Sequence, residues 1–290
     1  MNILLTGASG FVGKAFIESL SSDDHVVCLG RSGNGENFFK TDITDKASVQ
    51  SAASNITEDF DALVHLAAFV PKVAADDQLE PANATNVFGL INVLEAFNGR
   101  IKKVILGSTA EVYDQTRVHG TITEDSPVNP GSYYGATKLA SEPIALTYGK
   151  KQAIPALVLR FSVMYGPHDP IARALPNFIR SALKDEDIVI SGGQILRDYV
   201  HTADVVRAIH CALNSDASGV VNIGTGVGVS IQQAAEAVVA AAGSHSKVIV
   251  EPGSGGADIV LSPQKAEQLI NYKARVFFPE KLGEMIDSYR

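Results

Sequence analysis

Short apolar runs alternate along the chain with longer segments in which apolar residues recur every three or four positions, and this alternation fills the first two-thirds of the sequence. The short runs predict strands at Asn2–Leu5, Val26–Leu29, Ala62–Leu66, Lys103–Leu106 and Ala156–Arg160. Between them the spacing predicts helices near Gly13–Ser21, Thr85–Phe97 and Tyr133–Gly149. In the second of these, Val87, Leu90, Ile91 and Leu94 share one helical face. Repetition of strand, helix and strand is the pattern of βαβ units, so the expected fold class is α/β with a parallel sheet. The later portion changes character: loops at Tyr165–Pro170 and Glu251–Gly256 frame shorter elements, among them a helix entered through Ser230 and stopped at Gly243. The expected organisation is a first domain over 1-165, joined by strands returning from about 190-225, and a smaller lobe made mainly of 166-290.

Composition narrows the classes. With 290 residues and 46% apolar content the chain builds a sizeable core without staples. Its two cysteines, Cys28 and Cys211, sit in apolar runs with no ligand cluster around them, which suggests buried thiols in a reducing compartment and no metal site. The first apolar run, Ile3-Leu4-Leu5, has no basic region before it and glycines after it, so it reads as neither signal peptide nor membrane span, and a cytoplasmic protein is expected. A net charge of −8 with no Lys/Arg-rich stretch argues against a nucleic-acid surface. A small anionic ligand stays open, because a few placed donors suffice for one.

Two motifs carry chemistry. The chain opens as a strand that runs through Thr6 into Gly7, Ser9, Gly10, Phe11, Val12 and Gly13 and then a helix. Glycines there let the backbone approach a pyrophosphate, and the helix start offers free N–H groups and the positive dipole end. In the predicted helix from Tyr133, Tyr134 and Lys138 are four residues apart and project into the same space. A lysine charge beside a phenol favours the phenolate, which makes the pair a proton-transfer device. A plain surface pair has the same spacing; the pair gains weight from what surrounds it.

Thr-Gly-x-x-Gly-x-x-Gly at the N-terminus together with Tyr-x-x-x-Lys resembles the extended short-chain dehydrogenase/reductases, specifically the NAD-dependent epimerase/dehydratase group that acts on sugar nucleotides. Further matches follow in order: His65-Leu66-Ala67-Ala68, Asn86-Val87-Phe88-Gly89, Gly107-Ser108-Thr109-Ala110-Glu111-Val112-Tyr113, Leu159-Arg160-Phe161 through Pro167, and Arg197-Asp198-Tyr199-Val200-His201. The resemblance implies a Rossmann-type doubly wound sheet binding NAD(P), a nucleotide-sugar substrate and a homodimer paired through helices like Asn86–Phe97 and Tyr133–Gly149. It also implies that Leu66, Ala67, Ala68, Asn86, Ser108 and Phe161 lie along the cofactor, with Tyr134 and Lys138 at its reactive end. In the roles so implied, Thr109 places a hydroxyl against the reacting sugar oxygen, Tyr134 exchanges the proton and Lys138 binds the nicotinamide ribose. Thr109 alternatively caps a turn, and Ser108 alternatively shares its task. Glu111 stands where related dehydratases carry the second of two acids; the first is Ala110 here, so dehydration is disfavoured and Glu111 is either a general base or a bystander.

Cofactor choice turns on Leu29-Gly30-Arg31-Ser32, at the end of the second strand. A carboxylate there would hold both ribose hydroxyls of NAD; Arg31 and Ser32 instead accommodate the 2′-phosphate of NADP, which this reading favours, although Arg31 stacked on adenine would suit NAD. Asp42-Ile43 resembles the pair that caps the adenine. On the substrate side, Arg197 resembles the arginine that holds the nucleotide diphosphate. The family's asparagine is Val163 here and a second arginine near Pro252-Gly253 is absent; Arg173 and Asn177 are the residues expected to substitute. The reaction class is hydride transfer at a sugar carbinol or ketone. An epimerase, an NADPH-dependent 4-keto-sugar reductase, a reductase of a non-nucleotide carbonyl compound and a non-catalytic dinucleotide sensor remain as readings of it.

Overall fold

The computed structural model describes residues 1–73, 76–117, 120–253 and 256–290. In the loop read at Glu251–Gly256, Ser254 and Gly255 lie outside the described residues. The chain begins with β1 (Asn2–Thr6), α1 (Phe11–Glu18), β2 (His25–Gly30), β3 (Phe38–Lys40), α2 (Lys46–Asn55) and β4 (Ala62–His65). Next come α3 (Leu79–Asn83), a π-helical turn over Ala84–Phe88, α4 (Gly89–Ala96) and β5 (Val104–Thr109). A short 3-10 turn over Ala110–Val112, β6 (Thr121–Ile122), α5 (Tyr133–Gln152), β7 (Ala156–Phe161) and β8 (Val163–Tyr165) complete the first half.

The second half holds α6 (Ala174–Ala182), β9 (Ile188–Ser191), β10 (Leu196–Arg197), β11 (Tyr199–His201), α7 (Thr202–Leu213) and β12 (Gly219–Ile223). It ends with β13 (Val229–Ser230), α8 (Ile231–Ala242), β14 (Val248–Glu251), β15 (Val260–Leu261), α9 (Gln264–Ile270) and α10 (Leu282–Asp287). Seven strands form one sheet in the order β12-β7-β5-β4-β1-β2-β3, and every neighbouring pair in it is parallel.

Strand side chains alternate between the two faces of this sheet. Ile3 and Leu5 join Ile105, Leu157 and Leu159 in one core with Phe16 of α1 and Val205 and Ile209 of α7. Leu4 joins Val104, Leu106 and Val158 in the other with Val49 of α2, Leu90 and Val93 of α4 and Ala145 of α5. A parallel sheet buried on both faces needs such unbroken apolar runs. The strand order reverses between β1 and β4, which opens a crevice at their C-terminal ends.

Among the described residues four two-stranded ribbons stand outside this sheet, and α6, α8 and α10 pack around a third core with Ile188 and Ile190. The helix expected from Ser230 to Gly243 is present, with a Ser230/Gln233 capping box and Gly243 in the left-handed region at φ 64°. The expected face Val87, Leu90, Ile91 and Leu94 is displaced: Leu90, Val93, Leu94 and Phe97 are buried, while Val87 and Ile91 sit at the margin. The π-helical turn over Ala84–Phe88 accounts for this, since its wider turn rotates everything after it. Cys28 and Cys211, expected as buried thiols, are free and half-buried.

Candidate active site

The turn after β1 is shaped by contacts that exclude any side chain. Gly7 has φ 79°, and a Cβ on it would lie 2.5 Å from the backbone nitrogen of Ala67. A Cβ on Gly13 would lie 2.1 Å from the carbonyl oxygen of Gly7, so the third glycine lets α1 pack on the turn. Helix α1 starts from Gly10 with no side-chain cap, and its first residues Phe11, Val12 and Gly13 line a cavity of about 290 Å³. Leu66 and Ala68 after β4, Ser108 and Thr109 of β5, Tyr134 and Lys138 of α5 and Phe161 of β7 line the same cavity. An adjoining cavity of about 270 Å³ reaches outward past Ser9, Arg31, Ser32, Asp42, Ile43 and Ala67. Asp42 Oδ1 accepts from the backbone and hydroxyl of Thr44, which hold its carboxyl below the usual range together with the Arg31 charge. A glycine cradle, uncapped helix N–H groups and a polar pocket beyond them fit a dinucleotide.

Helix α5 is anchored where its reactive residues stand. Ser132 caps it by accepting from Gly135 N at 3.0 Å, and Asp77 accepts from the backbone N–H groups of Tyr133 and Tyr134 at 2.8 and 2.9 Å. Tyr134 and Lys138 are both buried and face one cavity, while Tyr133 is exposed. Thr109 does cap a turn, accepting from Glu111 N at 3.2 Å. With its acceptor side so engaged, its proton is free for the phenol, and this hydrogen bond favours the ionised tyrosine.

The expectation that Lys138 lowers the phenol is overturned. Burial pushes Tyr134 well above the usual tyrosine range and the Glu111 carboxylate adds to this, while Thr109 and Arg173 oppose it. Lys138 is itself desolvated and drawn down to about 8, against the pull of Glu142. Burial therefore outweighs the simple pairing inferred from spacing. Glu111 sits on the floor of the open cleft, where solvent reaches it but protein walls it in. That enclosure raises its carboxyl, with Asp77 adding to the effect and the Ser132 hydroxyl, 3.0 Å away, opposing it.

Thr109, Glu111 and Arg173 also line a larger pocket of about 660 Å³, with Val163, Tyr199 and Arg197 on its walls. Arg197 gives one guanidinium nitrogen to the carbonyls of Leu196 and Ala257, which fixes the side chain, and Arg173 is held by Asp169 at 3.0 Å.

Three expected assignments do not hold. Asn86 is buried with its amide spent on Phe69 and on the Thr137 hydroxyl, so it braces the loop after β4 against α5 and does not line the cofactor cavities. Asn177 faces outward on α6 and accepts from Arg180 at 2.8 Å, outside the pocket. Ser108 lines its cavity, but its hydroxyl donates to Glu142 at 2.6 Å and so cannot share the task of Thr109.

Sequence reasoning missed Asp77 and Glu142. The first has no local signal, being distant in sequence from the helix it caps. The second does, since Glu142 follows Lys138 by the same four-residue step that joins Lys138 to Tyr134. Among the described residues, no group of three or more His, Cys, Asp and Glu side chains is arranged to hold a metal ion.

Fold and site together define a dinucleotide-dependent enzyme built on a Rossmann-type sheet. The chain belongs to the NAD dependent epimerase/dehydratase family, whose sequence profile matches residues 3–224. It is similar to the UDP-glucose 4-epimerase of Thermotoga maritima, solved with UDP-glucose, at TM-score 0.90 and 27% identity over 100% of this chain and 99% of that one. The Thermus thermophilus UDP-glucose 4-epimerase in complex with NAD matches at TM-score 0.87 and 29% identity over 100% and 99%. A dTDP-glucose 4,6-dehydratase of an Actinoplanes species is 28% identical, covering 100% of this chain and 98% of its own.

Proposed function

We propose that this protein transfers hydride between NAD(P) and a carbinol or ketone carbon of a nucleotide sugar, with Tyr134 as the acid/base group. The observation that carries this reading is convergence: Tyr134, Thr109 and Lys138 meet in the cavity of the glycine turn, and that cavity joins a pocket holding Arg197. Gly7–Gly13 would hold the pyrophosphate, Asp42 and Ile43 the adenine, and Lys138 the nicotinamide ribose. The cofactor, when bound, supplies or takes up the hydride. Thr109 donates its proton toward the reacting oxygen, and Tyr134 gives or accepts the proton there. Arg197 presents a fixed fork to the diphosphate. Glu111 faces both cavities and is the group available for a second proton transfer.

Between epimerase and keto-sugar reductase, Val163 in place of the family's asparagine and Arg31 at the outer end of the cofactor cavity support the reductase. Arg31 and Ser32, with no carboxylate at the end of β2, support NADP, whereas the Thermus relative holds NAD. We assign residues 1-165 with β12 to the cofactor and 166-290 mainly to the substrate, and place the chain in the cytoplasm as a homodimer. The dimer reading is supported by exposed Leu79, Phe88 and Tyr133 on the α3, α4 and α5 side. Thermal-shift measurements with NAD, NADP and UDP-, GDP- and dTDP-sugars test the reading, since a ligand of the native state raises its melting temperature. A dinucleotide and at least one nucleotide sugar are expected to do so; silence toward every nucleotide sugar would transfer the assignment to a small carbonyl substrate.

A further inference from the structure

One cluster of charged side chains lies behind the site and is used by none of the steps above. Glu142 is buried one helical turn beyond Lys138 on α5. Its Oε1 accepts from Arg160 Nε at 3.0 Å and from the Ser108 hydroxyl at 2.6 Å, and its Oε2 accepts from Arg160 Nη2 at 2.6 Å. Arg160 lies on β7 with its guanidinium 4.8 Å from the centre of the Tyr113 ring, and its Nη1 is buried without a hydrogen-bond partner among the described residues. Tyr113 in turn donates to Asn222 of β12 at 2.6 Å. A buried ion pair adds little net stability over packed apolar residues, and cutting it in half is costly. Its place beneath a reactive lysine gives it a use that apolar packing would not serve.

We propose that Glu142 and Arg160 form a positioning pair for Lys138: the carboxylate favours the ammonium through the protein interior, and its bond to Ser108 ties α5 to the end of β5 beside Thr109. The lysine needs this support. It is enclosed, faces the neutral His65 from β4, and shares its cavity with Tyr134 on its own helix, with Glu111, and with the cations Arg173 and Lys72. Burial alone would drive it toward the neutral amine, and Glu142 opposes that. Arg160 limits the effect by compensating the carboxylate, so the two members act on Lys138 with opposite sign.

The importance of Lys138 rests on the proposed function, but its charge is measurable without turnover. In protein carrying lysine labelled with carbon-13 at Cε, the Lys138 resonance is identified by its loss in Lys138→Met and followed through a pH titration. The midpoint is expected near 8 in the native sequence. Glu142→Gln is expected to reduce the proton affinity of Lys138 about tenfold or more, and Arg160→Gln to raise it. Glu142→Gln/Arg160→Gln together should bring it back between the two. A purely structural pair would lower melting temperatures and leave the midpoint in place. An unmoved midpoint, or shifts of the same sign in both single variants, overturns the inference. If Glu142→Gln does not fold, the sign in Arg160→Gln decides. Opposite shifts in a protein that converts no nucleotide sugar would remove the proposed function and leave the pair standing.

Discussion

Enclosure sets the protonation of Tyr134. Its phenol keeps its proton through burial and the Glu111 charge, and the Thr109 hydroxyl opposes both. Tyr134→Phe removes that proton and little else, so the variant should keep its fold and its cofactor-induced rise in melting temperature. Its turnover should fall by at least about 100-fold, as expected for loss of a positioned acid. His65 shows burial acting on stability. Its Nδ1 meets the Thr6 hydroxyl at 3.0 Å, its Nε2 has no partner among the described residues, and burial, with the Lys138 charge adding, lowers it to about 3 from 6.5. Between those values the unfolded chain binds a proton that the folded chain does not, so this residue's stabilising effect is complete above 6.5 and is lost as pH falls toward 3. Urea unfolding of the native sequence and of His65→Asn should therefore diverge in slope by up to about 1.4 kcal/mol per pH unit across that window and run parallel above it. Parallel curves throughout would mean that His65 takes up its proton in the fold as readily as in the unfolded chain.

At the scale of elements, the glycine turn and the helix caps differ in what they tolerate. Gly13→Ala places a methyl against the Gly7 carbonyl, and since neither backbone can retreat, a loss of roughly 3 kcal/mol is expected with loss of the dinucleotide response. Ser230→Ala removes one half of a capping box beside the Arg197 pocket and away from the glycine turn, and should cost about 1 kcal/mol while leaving the dinucleotide response intact. Urea midpoints and thermal shifts on the two variants separate these outcomes. The same elements explain what the sequence made legible. Strands buried on both faces are plain apolar runs, and β1, β4, β5 and β7 lie where those runs predict them. The α8 boundaries were readable because Ser230 and Gly243 act through local backbone chemistry. The α4 face was not, because nothing in Ala84–Phe88 announces a wider turn. Nor was the engagement of Asn86, Asn177 and Ser108, since each is claimed by a partner distant in sequence or on a helix surface that motif matching does not see.

For the whole molecule, three adjoining cavities run from Arg31 at one end of the sheet crevice, past Tyr134, to Arg197 in the C-terminal half. The sheet reversal between β1 and β4 fixes the first two, and the returning segment from β8 to β13 walls the third. Such a path suits a dinucleotide and a nucleotide-linked sugar meeting head to head at Tyr134. Sedimentation should find a dimer that Phe88→Glu weakens, because the substitution puts charge into the exposed apolar patch beside α4; an unchanged mass would place any association elsewhere. The most direct test of the central claim is nicotinamide absorbance on mixing UDP-, GDP- or dTDP-hexoses and their 4-keto forms with protein loaded with NAD(H) or NADP(H). At least one nucleotide sugar should change the redox state of the nicotinamide in the native sequence, and the change should vanish in Tyr134→Phe at saturating ligand. Equal changes in the two proteins, or none with any nucleotide sugar, would contradict it.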